Sequence, residues 1–179
     1  MFVPIRIETT AGDQLEVLSN RFIDFKGELD NLSVPLSQIG ENLRTNISAQ
    51  FATEGGVGIS GAWAALSATY GAWKQKHSPG TPILVGLRPN NKGTRAHPTR
   101  PQSYNPSGKM KYEVLDPAAT HIEPMRMLYA PTSDIAGYHQ TGTSRMPARP
   151  IISLYPSTLR QWDRYVIVWL NKLIAGIEE

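Results

Sequence analysis

The side chains best spaced for chemistry lie in one stretch near the end of the chain, "AGYHQTGTSRMPARP". It brings His139, Gln140, Arg145 and Arg149 within eleven residues of one another. In an enzyme, His139 would act as a general base and Arg149 would hold an anion. However, Asp134 lies most of two turns away on the same predicted helix, so no nearby carboxylate orients the imidazole. We favour a structural interpretation and keep a hydrolase that uses His139 as the alternative.

In the structural interpretation, this stretch fixes the end of a helix. His139 and Gln140 supply donors and acceptors that fasten the helix end, and Gly142 ends the helix in a left-handed conformation. The residues from Pro147 to Pro150 hold the next segment extended, with Arg149 in a forked ion pair.

Other catalytic patterns are absent from the sequence. The histidines His77, His97, His121 and His139 have no metal-ligand spacing to one another or to a carboxylate cluster. There is no GxSxG elbow, and "EGGVGISG" lacks the Lys and Ser or Thr of a phosphate-binding loop. Without cysteine there are no disulfides or thiolate metal sites. The sequence predicts neither a metal nor a cofactor.

The composition predicts one folded domain over residues 1–179. Hydrophobic residues make up 40% of the chain and charged residues 18%, while 15 Gly and 14 Pro indicate many turns. The first residues lack the basic start and apolar run of a signal peptide. No apolar stretch approaches the ~20 residues of a membrane helix, so no membrane partner is expected.

The net charge of +3 is unevenly distributed. Residues 1–54 hold eight acids and four bases, residues 55–112 hold eight bases and no acid, and residues 113–179 hold seven acids and six bases. A second alternative is therefore a protein that binds DNA phosphates through the basic segment 88–111, without reading bases, because aromatic stacking partners are lacking there. The candidates for contact with DNA or an acidic partner are Arg88, Lys92, Arg95, Arg100, Lys109 and Lys111.

Apolar residues spaced three and four apart predict an N-terminal pair of helices at 13–29 and 33–51, with Ser33 as cap and Pro35 in the first turn. A short helix is expected at 66–77. Six stretches are typical of strands: "FVPIRIETT", "PILVGL", "KMKYEVL", "HIEPM", "RMLYA" and "ARPIISLY". Between the second and third lies a basic, Pro-rich loop insertion at about 86–109.

A short helix is expected within 132–142, and a long one follows Pro156 to Ile177. The apolar side of the long helix is wider than one core face needs, which predicts contact with a neighbouring subunit as well. The candidate interface residues are Trp162, Val166, Trp169 and Leu173. The expected fold class is α+β: a small, mainly antiparallel sheet with an N-terminal helical pair and a long C-terminal helix packed on it.

A set of residues lies in a fixed order along nearly the whole chain: Phe51, Gly55, Gly56, Trp63, Leu66, Ser67, Ile83 to Val85, His139, Gln140, Gly142, and Pro147 to Pro150. This order resembles the phage virion morphogenesis proteins, a tail-completion family of Mu-like and related tailed phages. Two departures are Thr141 and Ile151, which stand where the family commonly has an aromatic residue. A third is the 86–109 insertion, which separates "ILV" from "SGKM".

The resemblance implies a structural protein of the phage neck or tail end, which completes the tail and joins it to the head. It implies no catalysis and no cofactor. It implies a homo-oligomeric ring, commonly a hexamer, whose partners are tail-tube and head-connector proteins and, through non-specific contact, passing DNA. The expected location is the virion, after assembly in the host cytoplasm.

Overall fold

The computed structural model describes residues 11–89 and 104–178. Within them the protein is an α+β fold with an N-terminal helical pair, a long C-terminal helix and two separate two-stranded antiparallel sheets. The predicted fold class is confirmed. The predicted first strand and the middle of the predicted basic loop lie outside the described residues.

The N-terminal pair consists of α1 (Ala11–Leu29) and α2 (Ser33–Ala52), as predicted. Its cap differs from the prediction, because Ser33 is the first helical residue. The side chain of Asn31 instead accepts a hydrogen bond from the Ser33 backbone nitrogen at 3.1 Å. Pro35 lies buried in the first turn, where its missing N–H would have no helical partner.

Further helices lie near the predicted positions, and two hairpins accompany them. The antiparallel pairs are β1 with β2 and β3 with β4. The elements are α3 (Ala68–His77), β1 (Gly86–Pro89), β2 (Tyr104–Ser107), α4 (Lys109–Leu115), β3 (Thr120–Glu123), β4 (Arg126–Tyr129), α5 (Asp134–Thr141) and α6 (Pro156–Glu178).

The segment "KMKYEVL" was predicted to be a strand, and this prediction is wrong because the segment is α4. Its alternating pattern suits a strand, but Met110 and Val114 also lie four residues apart, and both are buried in the core. Lys109 and Glu113 form an ion pair at the same spacing, with 3.2 Å between Nζ and Oε1. The sequence pattern fits both a strand and a helix, and packing in the core selects the helix.

Two other strand predictions also need correction. In "PILVGL", residues 83 and 84 form a turn, and the strand begins only at Gly86. The ends of the predicted 86–109 loop then pair with each other, with Gly86 opposite Ser107. The segment "ARPIISLY" belongs to no strand of the described chain, because side chains occupy the backbone groups that a neighbouring strand would bind.

The core lies between α2, α4, α5 and the segment that precedes α6. Helix α2 packs against the β3–β4 hairpin and against α6, and α1 packs against α6. Trp162 of α6 donates from Nε1 to Asn42 Oδ1 of α2 at 2.8 Å. The central buried residues are Leu43, Ile47, Phe51, Trp63, Leu84, Met110, Val114, Ala136 and Ile151. None of the described helices is long and apolar enough to cross a membrane.

Replacing Ile47 by Ala should destabilise the fold by about 2–5 kcal/mol, because Ile47 is 1% exposed at the centre of this core. The matched control is Ile59→Ala at a 61% exposed position, where a change within about 0.5 kcal/mol is expected. Urea unfolding measures both free energies. Equal losses in the two variants would show that α2 does not bury Ile47.

Candidate functional site

Helix α5 ends in a turn that reverses the chain. Gly142 follows its last residue with φ 75° and ψ 179°, a conformation open essentially only to glycine. A Cβ here would lie 2.8 Å from the backbone nitrogen of Ala148, so the space also requires glycine. Thr143 donates to the Met146 carbonyl at 2.8 Å and closes the turn. The chain then returns along α5.

The Gln140 side chain makes the hydrogen bonds to the returning chain that a neighbouring strand would otherwise make. Its Oε1 accepts from the backbone N–H groups of Ile151 and Ile152, both at 2.9 Å. Its Nε2 donates to the carbonyl of Ile152, also at 2.9 Å. Because Ile151 is 2% exposed, its N–H would otherwise be buried without a partner. This geometry agrees with the structural interpretation of Gln140.

Arg149 is 3% exposed and is bound by backbone carbonyls. Its Nε donates to Ala64 O at 2.7 Å and its Nη2 to Ala65 O at 2.8 Å, while its backbone N–H donates to His139 O at 2.7 Å. The expected forked ion pair is therefore wrong. The facing segment, "GAWAAL", has no acidic side chain and offers only carbonyls. Burial lowers the pKa of the Arg149 guanidinium.

Trp63 ties the returning chain to the turn after α2. Its Nε1 donates to the Pro150 carbonyl at 2.8 Å. Its ring stands edge-on to Phe51, with centroids 5.6 Å apart. Gly55 has φ 88°, and a Cβ there would lie 2.5 Å from Trp63 Cδ1. In the sequence, Gly55 and Trp63 are marked only by their places in the family pattern.

Two charged residues outside the predicted set hold the same region together. Lys74, which is 2% exposed, donates from Nζ to the carbonyls of Pro82 and Ile83. Glu54 Oε1 accepts from the Ile83 N–H at 2.7 Å. Burial lowers the pKa of the Lys74 ammonium, and Glu54 acts in the opposite direction. No sequence signal marks Lys74, because a lysine on a short helix is normally exposed.

We call this arrangement the α5–α6 joint. It consists of Gln140, Gly142, Arg149 and Pro150 together with the segment around Trp63 that Arg149 and Pro150 contact. Pro147 is exposed within it, and Pro150 offers its carbonyl to Trp63.

His139 lies in the joint between two cavities, of about 330 and 360 Å³. Its Nδ1 is buried and has no hydrogen-bond partner among the described residues. The predicted fastening of the helix end by the His139 side chain is therefore not found there, and it is the backbone carbonyl of His139 that binds, to the Arg149 N–H. Burial lowers the pKa of the imidazole, and the nearby Arg149 cation lowers it further. Both effects disfavour the charged form of the imidazole.

The smaller cavity brings together the residue types of the hydrolase alternative. Ser133, Asp134 and His139 all line it. None of these side chains is hydrogen-bonded to another, whereas an activated serine needs a bonded base that a third group orients. Among the described residues, no cluster of three or more His, Cys, Asp or Glu is placed to hold a metal ion.

Three residues of the predicted basic surface, Arg88, Lys109 and Lys111, lie within the described chain. Lys109 is paired with Glu113, and Lys111 is half-buried on α4. Arg88 lies on β1. The remaining three, Lys92, Arg95 and Arg100, lie outside the described residues.

The four predicted interface residues of α6 are buried or half-buried within the described chain. Trp169 is 9% exposed, Trp162 binds α2, and Val166 and Leu173 are half-buried. The predicted set is therefore not the free apolar surface of α6. The large apolar side chains that α6 leaves exposed are Leu159, Ile167, Val168 and Ile174.

No protein-family model, curated protein or solved structure matches this chain.

Replacing Gly142 by Ala should destabilise the fold by about 1–3 kcal/mol, because alanine disfavours this backbone conformation and its Cβ would meet Ala148. The matched control is Gly137→Ala, one turn earlier in α5, where a Cβ has no atom within 4 Å. That change should stabilise the fold by about 0.5–1 kcal/mol, because glycine is the poorer helix former. Thermal and urea unfolding distinguish the signs, and stabilisation by both substitutions would contradict the tight turn.

Proposed function

We propose that this chain is a structural protein of the neck or tail end of a tailed phage, where it completes the tail and joins it to the head connector within a homo-oligomeric ring. The observation that carries the proposal is that several residues on which the resemblance to the phage family rests lie together at the α5–α6 joint. Gln140 binds the returning chain from the end of α5, and Trp63 binds it from a segment more than eighty residues earlier. Arg149, which lies in the returning chain, donates back to the carbonyls of Ala64 and Ala65 beside Trp63. They fix backbone groups, which supports a structural role for the shared pattern.

The surface of α6 also supports assembly. Its exposed Leu159, Ile167, Val168 and Ile174 form apolar area of the kind that subunit contacts cover. The acid-rich first third and the base-rich middle of the sequence offer opposite charges to neighbours that meet head to tail, as subunits of a ring do.

Phage that lack this chain should accumulate DNA-filled heads and separate tails, because the joining ring is incomplete. Electron microscopy of the particles measures the joined fraction, and supplying the chain in trans should restore it. Joined, infectious particles without the chain would contradict the proposal. In the rescue, His139→Ala should still support joining if it folds. A folded, assembled His139→Ala chain that lost a hydrolytic turnover of the wild type would favour the enzyme instead.

Assembly can be measured separately by light scattering. The wild-type chain should show a mass several times the 19.8 kDa of one subunit. The double variant Ile167→Asp, Ile174→Asp should shift toward the subunit mass, because it places charges on the exposed apolar side of α6. The control Ile59→Asp, also at an exposed position, should keep the wild-type mass. A wild-type monomer at every concentration would exclude a ring formed by the chain alone.

A further inference from the structure

The larger of the two cavities beside His139 has cationic walls. It measures about 360 Å³ and lies between the start of α3, residues 83–86 and the turn that precedes Arg149. Arg145 and Arg149 line it, and no acidic residue does among the described lining residues. The rest of its wall combines the polar Ser67, Tyr70 and His139 with a set of apolar side chains, Leu66, Ile83, Leu84, Val85 and Met146.

Arg149 keeps unused hydrogen-bond donors at this cavity. A guanidinium carries five N–H donors, and here Nε and Nη2 bind the carbonyls of Ala64 and Ala65. The second terminal nitrogen, Nη1, has no hydrogen bond within the described chain. Arg149 also forms no ion pair there. Nη1 is not among the buried unpartnered atoms of the described chain, so it is open to water in the cavity and can donate to an anionic ligand that enters.

Two further features add positive potential. Arg145 is exposed, and its guanidinium makes no hydrogen bond or ion pair with the described residues, so it can turn toward a ligand. Ser67 and Tyr70 place the start of α3 at the cavity. The first N–H groups of a helix lack helical partners and carry partial positive charge, although the Tyr70 N–H here already donates to Ser67 Oγ at 3.4 Å.

We propose that this cavity binds the carboxylate of a ligand with an apolar body, held by Arg149 and Arg145. A guanidinium matches the planar carboxylate group, and the apolar wall accommodates a hydrocarbon body. A phosphate dianion fits less well, because more charge would have to leave water and the apolar side chains of the wall would be left without a contact. The carboxylate can belong to a free small molecule or to a side chain of a second copy of this protein.

His139 provides a reporter in the wall. Burial and the Arg149 cation lower the pKa of its imidazole. A bound carboxylate would offset the charge of Arg149, so the pKa of His139 should rise on binding. A purely apolar ligand would not raise it, because added burial disfavours the imidazolium.

The test titrates the full-length chain with hexanoate and, as an uncharged control of the same shape, hexanamide. Histidine NMR signals report binding, with the His139 signal assigned from His139→Gln. Hexanoate should give saturable shifts and a raised pKa at His139, and hexanamide should not. Arg145→Gln should weaken hexanoate binding about tenfold or more, because it removes a charge-assisted contact. The matched control Arg160→Gln, at an exposed arginine of α6 outside the cavity wall, should bind as the wild type does.

The remaining outcomes separate the sources or overturn the proposal. If hexanoate binds and also lowers the mass measured by light scattering, a second copy supplies the carboxylate; an unchanged mass indicates a free ligand. Equal binding of hexanamide would overturn the proposal, since the cavity would then recognise only the apolar body. Binding of inorganic phosphate without hexanoate would overturn the ligand class. Hexanoate binding that Arg145→Gln leaves unchanged would overturn the assigned contact.

Discussion

The side-chain amide of Gln140 makes three hydrogen bonds with the segment that leads into α6, and the rest of the joint depends on them. This segment passes through the core, where water cannot satisfy its backbone groups. No strand of the described chain pairs with it. The amide supplies an acceptor for two N–H groups and a donor for one carbonyl. This requires Gln140 to sit on the last turn of α5, and it requires the chain to reverse at once, as Gly142 allows.

In the same region, buried cations donate hydrogen bonds to loop carbonyls that have no partner in a helix or strand. Arg149 and Lys74 are both almost fully buried, and each binds two carbonyls of a loop. Hydrogen bonds to charged groups contribute about 1.5–3 kcal/mol each, enough to fix loops that have little secondary structure. The carboxylate of Glu54 interacts electrostatically with Lys74. The joint thus combines rigidity with an excess of positive charge beside its cavities.

The sequence predicted those elements whose spacing of apolar residues fits only one type of secondary structure. Helices α1, α2 and α6 follow from such spacing, and the strands of the β3–β4 hairpin were predicted as the short stretches "HIEPM" and "RMLYA". It failed for α4, because Met110 and Val114 suit both a strand and a helix, and only their shared burial selects the helix. The strand predicted at 148–155 is absent from the described part of the chain, because the Gln140 side chain binds the backbone groups that a neighbouring strand would bind. The spacing of apolar residues cannot reveal such a contact. Gln140 and Arg149 were found through their position near turn residues, but the carbonyls that Arg149 binds lie more than eighty residues away. Lys74 could not be found, because its burial depends entirely on the loop that folds over it.

Hydrogen exchange of the Ile151 and Ile152 amides tests the central role of Gln140 most directly. If its amide holds this segment in the core, both N–H groups should exchange only through global unfolding, with an opening free energy equal to that measured by denaturant and to that of Ile47 in α2. Fast exchange at Ile151 and Ile152 while Ile47 remains protected would contradict it, because the segment would then open without the core.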